Sequence, residues 1–359
     1  MELKFLWENE KYWKLWNTFS EINKLSYTYS NNSHLYYLAY LDGKLVKDCS
    51  FVVIENAVAV AICPLFLIRK DNELQFSISG GYLHSWRISR TVNRKNYITI
   101  EKIIIKKIKE LAIEYNVNIY LTYLNPLDKM SDKYYLNELY KYEFIEDNIA
   151  TSIIDLSDEE DVLFQNISKG HKAAIKKDNK ILEINIMDHS NPDKEIFDTY
   201  RLFHAECAGR VTRSIKTFDM NYKMLIDDEA ILVYSKYFDK YCAFCFLAHI
   251  NETIYYYSAS KNSRLSTDYT QSHALIWKAI QYYKNRSFKF FEMGQQLYKP
   301  TYMINPSKKE LDIALYKRCF GGYIMPLYRG RLYFNEFIAQ KEIESNLKNY
   351  IQIYRKEDD

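Results

Sequence analysis

Several basic side chains and one acidic side chain in this sequence have the chemistry of a group-transfer site. Arginine can hold phosphate oxygens in bidentate fashion, and the candidates are Arg210, Arg213 and Arg264. Glu292 lies at the end of a predicted strand, where a carboxylate can accept a proton; a strand-end residue in solvent is the alternative. Lys172 and Lys176 lie one helical turn apart and can meet one anion, although a solvated basic face is the more common outcome.

The cysteines and histidines do not form a recognisable metal or catalytic pattern. The six cysteines are dispersed, and Cys242-x-x-Cys245 has no second pair or histidine at zinc-ligand spacing. Within one strand the two thiols would also point to opposite faces. His204 and His273 lack a third group that would orient them as bases. We therefore expect no metal, structural histidines, and free thiols in a reducing cytoplasm.

Composition indicates an ordinary folded protein of two domains. The chain has 359 residues, of which 48% are hydrophobic and 26% are charged. Only 9 Gly and 6 Pro exclude turn-rich propellers and sandwiches. A net charge of +3 is too small for a protein held mainly by DNA phosphates, so we expect no DNA partner. The 34 tyrosines are expected from AT-rich coding DNA and receive no functional assignment.

No segment has the pattern of a signal peptide or a membrane helix. The N-terminus is acidic and rich in tryptophan where an apolar signal region would lie. The most apolar stretch, residues 51–68, contains Glu55, Asn56 and Pro64, and two strands account for it better than a membrane span. We expect a cytoplasmic protein, with peripheral attachment at the inner membrane face as an option.

The two halves of the chain share one order of elements: three strands, a loop, a helix and a further strand. In the first half these are residues 50–54, 57–68, 74–79, 99–115 and 117–124, with Thr99 as a candidate helix N-cap. In the second half they are residues 231–238, 241–250, 253–260, 270–283 and 288–293. A basic helix, residues 168–180, lies between the halves, and an amphipathic helix begins near Phe334. The pattern predicts two α+β domains, each with a mixed, mainly antiparallel sheet flanked by helices.

GNAT acyltransferases build their site from this order of elements. Two neighbouring strands splay apart, and the loop at the helix N-terminus accepts a pyrophosphate because its N–H groups and the helix dipole favour an anion. The usual glycine-rich form of that loop is missing in both halves. Residues 261–266 (KNSRLS) supply charge but no glycine, which makes a close backbone approach to phosphate doubtful.

Three stretches resemble the FemABX-like family of tandem GNAT-fold transferases, in its short form without the coiled-coil insertion. Residues 315–322 (LYKRCFGG) resemble the family signature "FK, two residues, FGG", with Tyr316 where the family prefers Phe. The basic helix 168–180 resembles the family's Lys/Arg-rich helix. Residues 255–296 are similar to the second GNAT core of the family. The resemblance covers most of the chain, and its specific motif is the last one.

This resemblance implies a fold and a site. It implies tandem GNAT-like domains at residues 1–155 and 156–330, with a C-terminal helix in 331–359 that packs back on the first domain. It places Tyr316, Glu292 and Lys317 in the reacting part, with Lys317 near the developing oxyanion; a surface lysine is the alternative. Gly321 and Gly322 of the motif 315–322 would allow close approach of substrate, and a simple turn explains them equally well. Lys299, which ends the segment GQQLYK, is a candidate for the acceptor pocket, with a solvated lysine as the more common outcome.

The resemblance also implies a reaction in which an activated acyl or aminoacyl group passes to a primary amine of a cell-envelope precursor. The co-substrate is aminoacyl-tRNA or acyl-CoA, with no tightly bound cofactor. The acceptor is a nucleotide- or lipid-linked sugar or peptide. An acyl-CoA-dependent N-acyltransferase of surface polysaccharide synthesis is one alternative, and a non-catalytic tandem-GNAT binding module is another. The oligomeric state is not indicated.

Overall fold

The computed structural model describes residues 1–79, 81–129, 137–262, 264–265 and 270–357, with side chains up to residue 353. The described helices are α1 (Glu10–Ile22), α2 (Asn31–Tyr40), α3 (Arg94–Glu114), α4 (Pro126–Lys129), α5 (Glu160–Asn166), α6 (Lys169–Ile181), α7 (Lys194–Ala208), α8 (Ile215–Ile226), α9 (His273–Asn285), α10 (Lys308–Arg318) and α11 (Glu336–Glu357). The described strands are β1 (Glu2–Phe5), β2 (Leu45–Asp48), β3 (Phe51–Glu55), β4 (Val58–Cys63), β5 (Phe66–Lys70), β6 (Glu73–Phe76), β7 (Leu83–His84), β8 (Arg87–Ile88), β9 (Ile119–Tyr123), β10 (Ile145–Glu146), β11 (Ile149–Asp155), β12 (Glu183–Met187), β13 (Ala230–Tyr237), β14 (Lys240–Ile250), β15 (Thr253–Lys261), β16 (Phe290–Gln296), β17 (Tyr323–Leu327) and β18 (Arg329–Tyr333).

The strands form three mixed or antiparallel sheets. The second half contains one sheet in the order β12-β13-β14-β15-β16-β11-β17, in which β15 and β16 are parallel and the other pairs are antiparallel. The first half contains a sheet β10-β18-β9-β6-β5-β2 and a smaller sheet β1-β3-β4-β8. Helices α3 and α9 bury their apolar faces on the first and second domain cores, respectively. The predicted α+β class is confirmed.

The sequence pattern was more accurate for the second half than for the first. The predicted strands and helix of the second half match β13, β14, β15, α9 and β16. In the first half, the predicted single strand 57–68 is wrong: it divides into β4 and β5, which belong to different sheets. Pro64 lies at the break, where its missing N–H cannot continue a ladder.

The N-terminus of the long helix α3 also lies earlier than predicted. Asn93 is the N-cap, and its side chain accepts the N–H of Asn96. Thr99 lies inside the helix, where its hydroxyl donates to the carbonyl of Lys95. The prediction of Thr99 as the N-cap is therefore wrong, because Asn93 supplies a stronger cap one and a half turns earlier.

The chain crosses twice between the halves. Strand β11 lies in the second sheet between β16 and β17, although its residues precede position 156. Strand β18 pairs with β9 in the first half, and α11 follows it. Glu342 of α11 binds Arg331 of β18, while the carbonyl of Ile343 accepts the hydroxyl of Tyr302. The boundaries at residues 155 and 330 stay predictions. Strand β11 joins the sheet of the second half, and β18 joins a sheet of the first half.

Direct contacts join the two halves near the starts of β13 and β15. Ser30 Oγ donates to Glu229 Oε2 at 2.8 Å, and Asn32 Nδ2 donates to Asp227 Oδ2 at 2.7 Å. The ring of Tyr27 stacks on that of Tyr255, with centroids 5.3 Å apart. Residues of both halves can therefore line one cleft.

Gly322 is required for packing between α10 and β17. Its φ is +87°, and a Cβ there would lie 2.4 Å from the carbonyl oxygen of Ile153. We expect Gly322→Ala to lower the free energy of unfolding by about 2 to 4 kcal/mol, since both the positive φ and the clash oppose a side chain. Urea unfolding measures this. Gly170→Ala is the control, because its Cβ meets nothing within 4 Å on helix α6, and equal losses for both variants would contradict the explanation.

No helix among the described residues is long and apolar enough to cross a membrane. All six cysteines are free, and Cys49, Cys63, Cys242 and Cys245 are buried.

Candidate functional site

The two domains differ at the point where a GNAT fold opens its sheet. In the second domain, the parallel pairing of β15 and β16 ends at Tyr255 and Glu292, and the strands then diverge. In the first domain, β6 pairs with the start of β9, and β7 then pairs with Thr122 and Tyr123 farther along β9. In the first domain, β7 therefore closes the gap beside β9. In the second domain, no described strand closes the corresponding gap between β15 and β16. The open gap in the sheet is therefore in the second domain.

Glu292 is a buried carboxyl group at this opening. Its side chain is 4% exposed, in the middle of β16 rather than at the predicted strand end. Burial raises the pKa of Glu292 to about 7, against the opposing effects of a hydrogen bond and a nearby cation. Thr151 Oγ1 on β11 supplies that hydrogen bond, donating to Glu292 Oε1 at 2.8 Å. A carboxyl with this pKa can exchange a proton near neutral pH.

Lys317 lies in the last turn of α10, facing the same opening. Its ammonium is 4.8 Å from the centre of the Tyr256 ring. Burial lowers the pKa of Lys317 to about 8, and the charge of Glu292 opposes this shift. Lys317 is therefore a partly enclosed cation on a helix, and not a surface lysine on a strand.

Gly294 marks the place where these groups converge. Its φ is +89°, and a Cβ there would lie 3.0 Å from Lys317 Nζ and 4.0 Å from the Tyr255 hydroxyl. The space that a side chain at position 294 would fill is thus bounded by a cation, a phenol and, two residues earlier on β16, the carboxyl of Glu292. Glu292 and Lys317 lie close enough for the charge of each to act on the pKa of the other, as a reacting carbonyl between them would require.

A groove leads to the hollow between β15 and α10. One part has a volume of about 760 Å³, and a neighbouring part, toward α7 and the start of α9, has a volume of about 890 Å³. The residues that line both parts are Tyr256, Ala259, Lys309, Ile313 and Tyr316. Because the two parts share these walls, they form one groove that ends at Lys317.

An aromatic cleft of about 260 Å³ lies between the two halves. Its lining residues are Tyr27, Tyr36, Tyr37, Tyr40, Ile78, Gly81, Arg213, Tyr255 and Tyr257. The guanidinium of Arg213 is 5.6 Å from the centre of the Tyr257 ring, and its Nη1 is buried with no hydrogen-bond partner among the described residues. Tyr255 lines the cleft and also approaches the hollow at Gly294. The cleft and the groove therefore meet at Tyr255.

The other predicted binding residues are more scattered. Arg210 is exposed, and Arg264 Nη2 pairs with Glu206 Oε1 at 3.0 Å beside the groove. On α6, Lys172 donates to the carbonyl of Gln165, and Lys176 lies over the ring of Phe164. Lys299 is exposed after β16. The structure brings Glu292 and Lys317 together and places Arg213 in the adjoining cleft, while these others line neither the groove nor the cleft.

The remaining residues of the motif 315–322 have mainly packing contacts. Tyr316 lines the groove, where its ring packs against His273 and Phe320 and its carbonyl contacts His171 Nε2 at 3.0 Å. Gly321 and Gly322 have positive φ and lie against the backbone of Asn166 and Ile153. Chain packing explains both glycines, and a contact with substrate stays a prediction.

Several site residues carried no recognised signal in the sequence. Thr151 contacts Glu292 across 141 positions of chain, and only the sheet order brings them together. Gly294 stands alone in a strand, a pattern that often marks a bulge or a close approach; β16 has its register shift there. The tyrosines of the cleft were hidden by the general excess of tyrosine. Gly81 also lines the cleft, while Gly80 lies outside the described residues.

Solved structures of known proteins share this architecture. FemX superposes with a TM-score of 0.59 at 11% identity, over 86% of this chain and 96% of its own. A tandem GNAT protein from the clavulanic acid biosynthesis pathway gives a TM-score of 0.52 at 10% identity, over 92% and 98% of the two chains. The chain has the tandem GNAT fold. L-PGS from Bacillus licheniformis gives a TM-score of 0.52 at 12% identity, over 87% and 95%.

The predicted resemblance to FemABX-like proteins is thus confirmed at the level of the fold. No protein-family model matches the tandem GNAT chain, and no curated protein matches it. No group of three or more His, Cys, Asp or Glu side chains in the described part of the chain is placed to hold a metal ion.

Proposed function

We propose that this protein transfers an activated acyl or aminoacyl group to a primary amine of a cell-envelope precursor in the cytoplasm, with the reaction in the second domain. The observation that carries the proposal is the hollow at Gly294, where Lys317 and Glu292 lie beside the gap between β15 and β16. The donor is acyl-CoA or aminoacyl-tRNA and occupies the groove between β15 and α10. The acceptor occupies the aromatic cleft and reaches the hollow past Tyr255.

In this reaction the amine nitrogen attacks the carbonyl carbon of the donor. A C–N bond forms, and the bond from that carbon to the thiol sulfur or hydroxyl oxygen of the carrier breaks. The carboxylate of Glu292 takes the proton that the amine loses and returns it to the leaving sulfur or oxygen, so that the carrier departs as a thiol or a hydroxyl. The ammonium of Lys317 stabilises the negative charge that develops on the carbonyl oxygen.

The two shifted pKa values support these roles. Glu292 with a pKa of about 7 is ionised on the alkaline side of neutrality, while Lys317 with a pKa of about 8 is still largely protonated there. The base and the cation therefore coexist between about pH 7 and pH 8. A binding module without catalysis would gain nothing from burying both groups, since burial costs free energy.

Arg213 is suited to hold a phosphate of the acceptor in the cleft. Its buried Nη1 lacks a partner, and the neighbouring rings exclude water, so a phosphate there would form a strong charge-assisted hydrogen bond. Tyrosine rings around it can pack on a sugar or a base. This favours a nucleotide- or lipid-linked acceptor.

Replacement of Arg213 tests the acceptor site. We expect Arg213→Met to weaken binding of a UDP-linked muramyl peptide or UDP-linked amino sugar about 10- to 100-fold, the usual loss for a charge-assisted pair. Titration calorimetry of the wild type and the variant measures this. Arg94→Met, at an exposed arginine at the start of α3, is the control and leaves binding unchanged. Equal affinities of wild type and Arg213→Met would contradict the assignment of the cleft.

Thermal unfolding with candidate donors tests the other half of the proposal. A donor at 100 times its dissociation constant raises the free energy of unfolding by about 2.7 kcal/mol. A rise in the unfolding temperature with acetyl-CoA or with tRNA identifies the carrier. If neither the donors nor the UDP-linked acceptors stabilise the protein, the proposed function is wrong.

A further inference from the structure

One face of helix α10 forms a wall of the groove along its whole length. Lys309, Ile313 and Tyr316 are spaced by four and three residues, so they lie on the same side of the helix. All three line both parts of the groove. Lys317 closes the inner end. From Lys309 to Lys317 the helix rises by roughly 12 Å.

The lysines of this wall stand at its two ends, and Asp312 is the one charged side chain among the described residues that lines the groove between them. Lys308 and Lys309 lie at the outer end, and Lys317 lies at the inner end. Between them the wall and the facing strand present Ile313, Ala259 and Tyr256. A ligand that fits this pattern has a polar reacting end, an uncharged arm of about 12 Å, and negative charge at its far end.

Lysines outnumber carboxylates among the described residues that line the outer end of the groove. Glu310 is engaged by Ser307, whose N–H and hydroxyl both donate to its Oε2 in the helix cap. Asp312 is the carboxylate among the described residues that line the groove. Lys261 adds a further positive charge where the groove widens. The outer end of the groove is therefore basic.

We propose that Lys308 and Lys309 bind the phosphate groups of the acyl carrier. This inference rests on the proposed transferase function and assigns the part of the site that binds the carrier. Coenzyme A carries its phosphates at the far end of an uncharged pantetheine arm, and a tRNA carries a phosphate on each nucleotide behind its acylated 3′ end, so the same two ammonium groups serve either source. At the start of α10 the N–H of Glu310 is already used by the hydroxyl of Ser307 in the helix cap.

The proposal also accounts for the absence of glycine between positions 261 and 266. A loop that binds phosphate through its own N–H groups needs glycine for close approach. Long lysine side chains reach a phosphate without that approach. Charge on α10 therefore replaces a glycine-rich loop after β15.

Binding measurements on the double variant Lys308→Ala with Lys309→Ala test this proposal. The probes are CoA, S-acetylpantetheine, which lacks phosphate, and uncharged tRNA. The control, Lys102→Ala with Lys341→Ala, removes the same charge from exposed positions on α3 and α11. We expect the α10 double variant to lose affinity for whichever phosphate-bearing probe, CoA or tRNA, the wild type binds. Its affinity should fall at least tenfold, and the salt dependence of tRNA binding should fall by about two counterions.

The outcomes separate this inference from the proposed function because binding is measured without turnover. Weaker binding of CoA or tRNA by the α10 variant, with unchanged binding by the control and no change for S-acetylpantetheine, supports the inference and names the carrier. Equal binding by the α10 variant and the wild type overturns it, even if the wild type transfers acyl groups. Failure of the wild type to bind either phosphate carrier also overturns it.

Discussion

Replacing Lys317 by Met lowers kcat for acyl transfer about 10²- to 10³-fold, with little change in the KM of either substrate. The magnitude is that expected when one preorganised donor to a developing oxyanion is removed. The methionine side chain has a similar length, so it fills the hollow beside Tyr256 and Gly294 without the charge. Steady-state kinetics at pH 7.5 measure both parameters.

Two further variants make the Lys317 result specific. Lys102→Met removes an exposed lysine of α3 and should retain wild-type kinetics. Lys317→Arg restores the charge, but the larger fork has to fit beside Gly294, so it should recover only part of the rate. If Lys317→Met keeps a kcat within threefold of the wild type, the role of Lys317 at the oxyanion is wrong.

Replacing Glu292 by Gln is expected to lower kcat about 10²- to 10⁴-fold at pH 7.5 and to change the pH profile. In the wild type, kcat/KM should rise as Glu292 ionises near pH 7 and fall as Lys317 loses its proton near pH 8. Glu292→Gln has no carboxyl to ionise, so the acid limb of the profile should disappear while the alkaline limb remains. An unchanged acid limb in Glu292→Gln would assign it to another group.

The same variant has a stability signature that shows it is folded. The folded pKa of Glu292 lies above the ordinary value of 4.5, so the unfolded chain releases this proton first. Wild-type stability from this group is therefore lost as the pH rises from about 4.5 to 7, by as much as about 3 kcal/mol. Glu292→Gln avoids that loss and should unfold at a higher temperature than the wild type at pH 8, but not at pH 4.

The second domain was predictable because its strands and helix follow simple local patterns. Residues 230–261 form three strands joined by two short turns, and the apolar positions of α9 repeat every three or four residues. The first domain departed from its pattern at Pro64, where the chain changes sheets. That change depends on which sheet can accept the next strand, and residues 57–68 alone do not contain this information.

The site was predictable only in part, for a related reason. The motif 315–322 located Lys317, and the predicted strand 288–293 located Glu292, which lies within β16 and not at its end. Their partners could not be found by spacing, because Thr151 on β11 reaches the site through a strand that crosses between the halves. The pKa of Glu292 likewise follows from burial within a sheet of seven strands, which no local pattern records.

A single-turnover transfer assay tests the central claim most directly. The protein is mixed with acetyl-CoA or with aminoacylated tRNA and a UDP-linked muramyl peptide or UDP-linked amino sugar, and the products are identified by mass spectrometry. Acceptors whose amine is already acetylated are the matched control. We predict that one donor yields an amide on the primary amine with one equivalent of released carrier, and that the blocked acceptor yields none. Release of the carrier without amide formation, or no reaction with any pair, would contradict the account.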